Sequence, residues 1–154
     1  MAAIAAILRD SPKPFVGDKA AIARVRCVLM QADRYLLAQH KSRRRGTFGQ
    51  WGLPGGRLKD DEKPKAALRR ELLEELGCRV PSLMRLGDWL YRDEQQRVFG
   101  CEIEKPIDTF NTEELRAIGW FSYEEIVDLA RARKLRMGFE LAAIIELRRL
   151  ITDA

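Results

Sequence analysis

Between Gly52 and Gly77 the chain reads GLPGGRLKDDEKPKAALRRELLEELG, and Glu62, Glu71, Glu74 and Glu75 stand there among Arg69 and Arg70. On a helix from Pro64 to Leu76, at about 100° per residue, Glu71, Glu74 and Glu75 fall within an arc of about 100°. Leu68, Leu72 and Leu76 take the adjacent arc, so an apolar stripe runs beside a stripe of three carboxylates. Crowded carboxylates repel, and their ionised forms need compensation. Arg70 stands one turn before Glu74, the spacing of a helical ion pair, yet one guanidinium cannot neutralise three charges. A hard divalent cation can. Mg²⁺ takes oxygen ligands and often reaches protein through a few carboxylates together with substrate phosphates, where it polarises phosphate and activates water. Gly55 and Gly56 suit the same chemistry, because backbone without side chains approaches a ligand closely. A solvated helix face laced with ion pairs accounts for RRELLEEL by itself. It weakens as an explanation once the glycines and Glu62 are counted at their spacing.

These residues need a scaffold. AIARVRCVLM (Ala21 to Met30) and RYLLAQ (Arg34 to Gln39) read as two strands of a hairpin turning at QAD. HKSRRRGTFGQ is a polar loop, and WGLPGGRL reads as extended pieces broken by Pro54, Gly55 and Gly56. The helix from Pro64 to Leu76 has proline at its first position and Gly77 at its C-cap; Lys63 is a poor N-cap. LMRLGDWLYR and RVFGCEI read as strands around a DEQQ turn, then comes the loop EKPIDTFNTEELR and the short strand AIGWF. Ser122 caps a helix to about Ala132, with Glu125 completing a capping box. Met137, Leu141, Ile144, Ile145 and Leu147 mark a last amphipathic helix. The expected class is α/β (α+β), a mixed sheet between helical layers.

The chain has 154 residues, 46% of them hydrophobic, which suits one domain with a sizeable core. We expect an arm over residues 1–15, frayed or packed on a partner subunit, and a single domain over 16–154. The balance of 28 basic against 23 acidic residues, net +5, favours anionic partners such as nucleotides. No basic patch with interleaved aromatics stands out, so nucleic acid is not the expected partner. Cys27, Cys78 and Cys101 form no C-x-x-C pair, which argues against zinc or a disulfide framework and for a reducing compartment. His40 is the single histidine, and no G-x-S-x-G elbow accompanies it. The N-terminus lacks the basic residues of a signal peptide, and no run approaches a membrane span. The expectation is a soluble, cytoplasmic protein with no membrane partner.

From Gly56 the sequence runs glycine, five residues, Glu62, seven residues, then Arg70-Glu71-Leu72-Leu73-Glu74-Glu75-Leu76-Gly77-Cys78. This resembles the Nudix box, G-x5-E-x7-R-E-U-x-E-E-x-G-U with U a bulky aliphatic residue. Cys78 at the last position is a mild departure. The preceding hairpin, the lead-in G-x-W-G-L-P-G-G and AIGWFSYEEI extend the resemblance over most of the chain. It implies the Nudix fold and Mg²⁺- or Mn²⁺-dependent hydrolysis of a nucleoside diphosphate linked to another group. By the same resemblance Gly56 (through its carbonyl), Glu71, Glu74 and Glu75 hold metal, and Arg70 orients a glutamate. Glu74 or Glu71 takes the proton of the attacking water, ahead of Glu62. On a straight helix Glu62 lies about 13 Å from Glu71 along the axis, so it assists only if the preceding loop folds back. Glu113 or Glu114 is a further metal-reaching candidate, though a solvated loop is the favoured reading. A homodimer is left open.

The lead-in is similar to that of small MutT-like nucleotide pyrophosphohydrolases, with one extra residue between its glycines. Arg43, Arg44 and Arg45 are candidates to meet phosphates through charge-assisted hydrogen bonds, joined by Gly55 and Arg57. Trp89, Tyr91 and Phe48 are candidates to stack on a base, against the commoner role of strand aromatics as core. Markers of the ADP-ribose, dinucleoside polyphosphate and NADH subgroups are missing downstream of the box. The leading expectation is a (deoxy)nucleoside triphosphate cleaved to monophosphate and pyrophosphate. The alternatives are an ADP-ribose or NDP-sugar pyrophosphatase, or a non-catalytic nucleotide- or RNA-binding module.

Overall fold

The structure is a computed structural model that describes residues 2–14, 21–41 and 49–153. Arg43, Arg44, Arg45 and Phe48, singled out from the sequence, lie outside the described residues. The elements in order are α1 (Ala2–Asp10), β1 (Ile22–Gln31), β2 (Arg34–His40), β3 (Gly55–Arg57), α2 (Pro64–Leu76), β4 (Met84–Tyr91), β5 (Glu94–Glu102), β6 (Leu115–Ser122), α3 (Tyr123–Arg131) and α4 (Glu140–Thr152).

The sheet runs β4-β5-β1-β2-β6, with β3 on β1. It is mixed: β1 and β5 are parallel and the other pairs antiparallel. Strand β1 alternates between two cores. Val25, Cys27 and Leu29 face Leu68, Leu72 and Leu76 of α2, while Val28 and Met30 join Ile144 and Leu147 of α4. Both faces are therefore covered, which explains why β1 reads as an almost continuous apolar run. Burying each leucine of the α2 stripe contributes on the order of 1.5–3 kcal/mol.

The hairpin forms as expected, turning at Ala32 and Asp33, whose φ angles are 49° and 61°. The second hairpin corrects the expectation of a DEQQ turn. It turns at Arg92 and Asp93, with φ of 50° and 64°, and Tyr91 pairs with Glu94. Two positive-φ residues match the right-handed twist of the flanking strands, so Gln95 and Gln96 are buried strand residues. At the N-terminus, α1 lays Ile4, Ile7 and Leu8 against the α4-side core. Trp89 is also core, stacked on Phe139 at 5.5 Å between centroids. Among the described residues no helix is long and apolar enough to cross a membrane.

After Met30 and Gln31 pair with Tyr35 and Arg34, β1 and β2 part. The segment from Gly52 to Arg57 fills the fork. Gly52 pairs with Ala38 of β2, Cys27 N–H donates to Pro54 O, and Gly55, Gly56 and Arg57 pair with Arg26, Val25 and Arg24. Helix α2 packs against the β3 end of this wedge.

Candidate active site

Helix α2 spans the residues expected from sequence. Lys63 makes no side-chain cap, and Gly77 closes the end in the left-handed region at φ 62°, its N–H donating to Leu73 O. The next two carbonyls are taken by Asn111: its N–H donates to Glu75 O at 2.8 Å and its Nδ2 to Glu74 O at 3.4 Å. The late loop is thus docked on the C-terminal end of α2. Glu113 and Glu114 beside it are exposed.

Helix α2 packs over β3, and the two glycines there give room on opposite sides, Gly56 to Glu71 of the helix and Gly55 to the backbone of β1. A Cβ on Gly56 would stand 2.6 Å from the Glu71 carboxyl, so Glu71 lies directly on the Gly56 backbone. A Cβ on Gly55, whose φ is +140°, would stand 2.0 Å from Val25 O. Gly55 N–H donates to Glu75 Oε1 at 2.8 Å. The Gly55 amide, on a residue singled out as a phosphate-binding candidate, is thus engaged by a carboxylate in this structure.

Arg70 gathers the other acids. Its Nε and Nη2 donate to Glu62 Oε2 and Oε1 at 2.8 and 2.9 Å, and its Nη1 donates to Glu71 at 3.0 Å and Glu74 at 3.3 Å. Nη2 also donates to Arg57 O at 3.0 Å. The loop does fold back: Glu62 N–H donates to Lys59 O, Lys59 N–H donates to Glu62 Oε1, and Asp61 between them has a φ of 62°. The bidentate fork and the Lys59 amide hold the Glu62 carboxyl down at about 2. Arg57 itself is tied to Glu94 at 2.6 Å.

The remaining carboxyls are shifted the opposite way. Burial raises Glu71, against the Arg70 hydrogen bond and with the help of the neighbouring Glu75 and Glu74 charges. Burial pushes Glu75 up to about 7, against the Gly55 amide and the Arg26 charge. Glu74 is the most open of the three, with 46% of its side chain exposed against 15% for Glu71 and 3% for Glu75. Among the described residues no three His, Cys, Asp or Glu side chains converge as a ready metal cage. What the fold assembles is a row of oxygen donors, two of them short of positive charge, over a glycine floor.

The NUDIX domain family matches residues 21–139. The chain belongs to the Nudix family. A nucleoside triphosphatase NudI from Enterobacter sp. (strain 638) is 33% identical over 129 residues, 71% of this chain and 89% of that protein. A nucleoside triphosphatase NudI from Salmonella agona (strain SL483) is 42% identical over 69 residues, covering 44% of this chain; the match spans 48%, about half, of its length. The NUDIX domain of Shewanella oneidensis NrtR, solved with ADP ribose, has the same fold, with a TM-score of 0.70 at 18% identity over 96% of this chain and 97% of that one.

Two residues of this Nudix site escaped the sequence reading. His40 ends the alternation Leu36, Ala38, His40 on the α2 face, and its Nε2 stands 3.3 Å from Glu75 Oε2. Neither ring nitrogen has a hydrogen bond of good geometry. Burial, then the charges of Arg26, Arg136 and Arg24, hold the imidazole neutral. Arg26 lies on the other face of β1, buried beside Gln96, Arg136 and Glu140. A cavity of about 550 Å³ opens between α1 and the Leu135–Gly138 segment, lined by Ile7, Ser11, Gln50 and Met137. Through Arg136 and Met137 it adjoins a narrower cleft at Arg26, Gly52 and Glu140.

Proposed function

We propose that the protein hydrolyses the pyrophosphate bond of a nucleoside diphosphate joined to a further group. The first choice is a (deoxy)nucleoside triphosphate, giving a monophosphate and pyrophosphate. The observation that carries this reading is the placement of Glu71 and Glu75 on the backbone of Gly56 and Gly55, with Arg70 binding the other side of the same carboxylate row. The relatives' description as nucleoside triphosphatases supports it.

The donor set fits a hard divalent cation, Mg²⁺ with Mn²⁺ as substitute. Its ligands would be oxygens only, and the raised Glu71 and Glu75 carboxyls are the ones whose charged forms an added cation would relieve. Glu71, Glu74, Glu75 and the Gly56 carbonyl would hold it. When bound, it supplies charge to the phosphates and acidifies water.

The chain's own residues do the rest. Arg70 fixes Glu71 and Glu74 one turn apart on one guanidinium. Glu74, the most open carboxylate, takes the proton of the attacking water, with Glu71 the other candidate. Glu62, bound on both oxygens by Arg70, sets the Arg70 fork. A cytoplasmic setting with free nucleotides fits this chemistry.

The test is product chromatography with Mg²⁺ or Mn²⁺ over nucleoside triphosphates, deoxynucleotides, ADP-ribose and NDP-sugars, with Glu75→Gln alongside. Monophosphate from triphosphates, reduced by about two orders of magnitude or more in the variant, supports the reading. Turnover confined to ADP-ribose or NDP-sugars moves the substrate class. Tight metal-independent nucleotide binding without turnover replaces the enzyme by a binding module.

A further inference from the structure

Arg26 is 3% exposed in the middle of β1, yet among the described residues no direct ion pair ties it to an acid. Its Nε donates to Gln96 Oε1 at 3.0 Å on the neighbouring strand. Its Nη1 donates to Gly55 O at 3.2 Å and, more weakly, to Leu53 O at 3.4 Å. Arg26 is also the strand partner of Gly55 in the β1–β3 register. One residue therefore holds the wedge twice, by its backbone pairing and by its side chain. Gln96 steadies the guanidinium from behind and itself donates to the Met137 sulfur. A buried cation in a strand is poor evidence for stability, because apolar residues of similar size hold a sheet as well or better. The position of its bonds suggests a different use.

The wedge carries the amide that meets Glu75. The Gly55 N–H shares its peptide plane with Pro54 O, which accepts from Cys27 N–H, and the planes before and after it, joined at a φ of +140°, end in the Leu53 and Gly55 carbonyls that Arg26 grips. We infer that Arg26 is a positioning residue, clamping the Leu53 and Gly55 carbonyls so that the Gly55 N–H is aimed at Glu75. It acts through the backbone carbonyls it holds, from a position only 3% exposed. Its catalytic consequence rests on the function proposed above; its structural consequence does not.

The test uses Arg26→Met with Gln96→Leu, which removes the buried polar pair together and leaves no orphaned partner between them, and Arg26→Lys, which keeps the charge but reaches fewer carbonyls. Exchange of the Gly55 amide, followed by NMR in metal-free protein, reads the positioning directly. The double variant is expected to melt within about 5 °C of wild type, with Gly55 exchanging about tenfold faster or more. Its kcat falls about tenfold or more while KM stays within about threefold, and Arg26→Lys recovers part of both. Gly55 protected as in wild type in the double variant, or a kcat that returns with stability, overturns the inference. Where the double variant does not fold, the exchange of Gly55 in Arg26→Lys decides alone: wild-type protection there overturns the inference as well. Should wild type turn over none of the panel, the function reading fails and the exchange still decides the role of Arg26.

Discussion

Gly55 N–H donates to Glu75 Oε1 at 2.8 Å, and among the described residues that hydrogen bond is what the fold offers a carboxylate otherwise sealed between α2, β3 and His40. It does not suffice, because burial still lifts Glu75 from 4.5 to about 7. Between those values the folded chain keeps a proton that the unfolded chain has lost, so stability falls as pH rises through this window. Above pH 7 the full cost, on the order of 3 kcal/mol, is present. Metal-free Glu75→Gln is therefore expected to be more stable than wild type at pH 8 by about 1–3 kcal/mol and to match it near pH 4.5. Urea melts of both proteins across that range measure the difference. A gap that does not widen with pH contradicts the assignment.

Metal binding should run the same equilibrium in reverse. Carboxylate ligands bind ionised, so Mg²⁺ added below pH 7 displaces the Glu75 proton. Calorimetry in buffers of different ionisation enthalpy is expected to show about one proton released near pH 6, fading by pH 8. Glu75→Gln should abolish the release. Equal release from wild type and variant would place the metal elsewhere.

Arg70 joins Glu62, Glu71 and Glu74 through a planar fork that lysine cannot reproduce. Arg70→Lys is expected to lower kcat about tenfold or more, despite the retained charge. The pH signature at Glu62 is opposite to that at Glu75. The Glu62 carboxyl is depressed to about 2, so the pairing stabilises the fold above 4.5 and is lost as pH falls towards 2. In Arg70→Lys, acid unfolding between pH 4.5 and 2 should become shallower. Unchanged acid titration together with unchanged kcat would reduce the fork to a surface ion pair.

The elements with local punctuation were legible. Pro64 and Gly77 bracket α2, and Ser122 with Glu125 forms the capping box at α3, with both reciprocal hydrogen bonds in place. The turn after Tyr91 was not legible, because Arg92 and Asp93 adopt positive φ without the glycine that usually signals it. The carboxylate face of α2 followed from helical periodicity. Glu62 did not, because its return to Arg70 depends on three loop residues turning back. His40 and Arg26 look like solvent-facing residues in sequence. Only the fork between β1 and β2, filled by a distant segment, turns them inward. The helical form and docking of α1 are likewise tertiary, since AAIAAILRD has no cap residue to announce it.

Asn111 makes a quieter prediction. Its side chain and backbone together occupy the last free carbonyls of Glu74 and Glu75. Asn111→Ala removes the Nδ2 bond to Glu74 O and the Oδ1 acceptor of Glu113 N–H, leaving its own backbone bond to Glu75 O. A loss of about 1 kcal/mol is expected in thermal or urea unfolding, with faster amide exchange confined to the late loop and the end of α2. A stability equal to wild type would show the late loop to be held by its apolar contacts alone.

The two adjacent glycines separate folding from chemistry. An alanine at Gly55 drives its Cβ to 2.0 Å from Val25 O, a backbone atom in the middle of β1, at a φ that L residues rarely adopt. Neither partner can move without breaking the sheet, so Gly55→Ala is expected to lose on the order of 4 kcal/mol or more, or not to fold. The nearest atoms to an alanine Cβ at Gly56 are those of the Glu71 carboxyl, 2.6 Å away at the end of its side chain. That carboxylate can swing aside, and the strand conformation itself accepts alanine. Gly56→Ala should therefore fold, melt within about 5 °C of wild type and lose about two orders of magnitude in kcat, because the displaced Glu71 leaves the row proposed above to face the phosphates. Circular-dichroism melts and steady-state kinetics on both variants make the comparison. A Gly56→Ala protein with wild-type turnover would remove Glu71 from the chemistry, whatever the stability of Gly55→Ala.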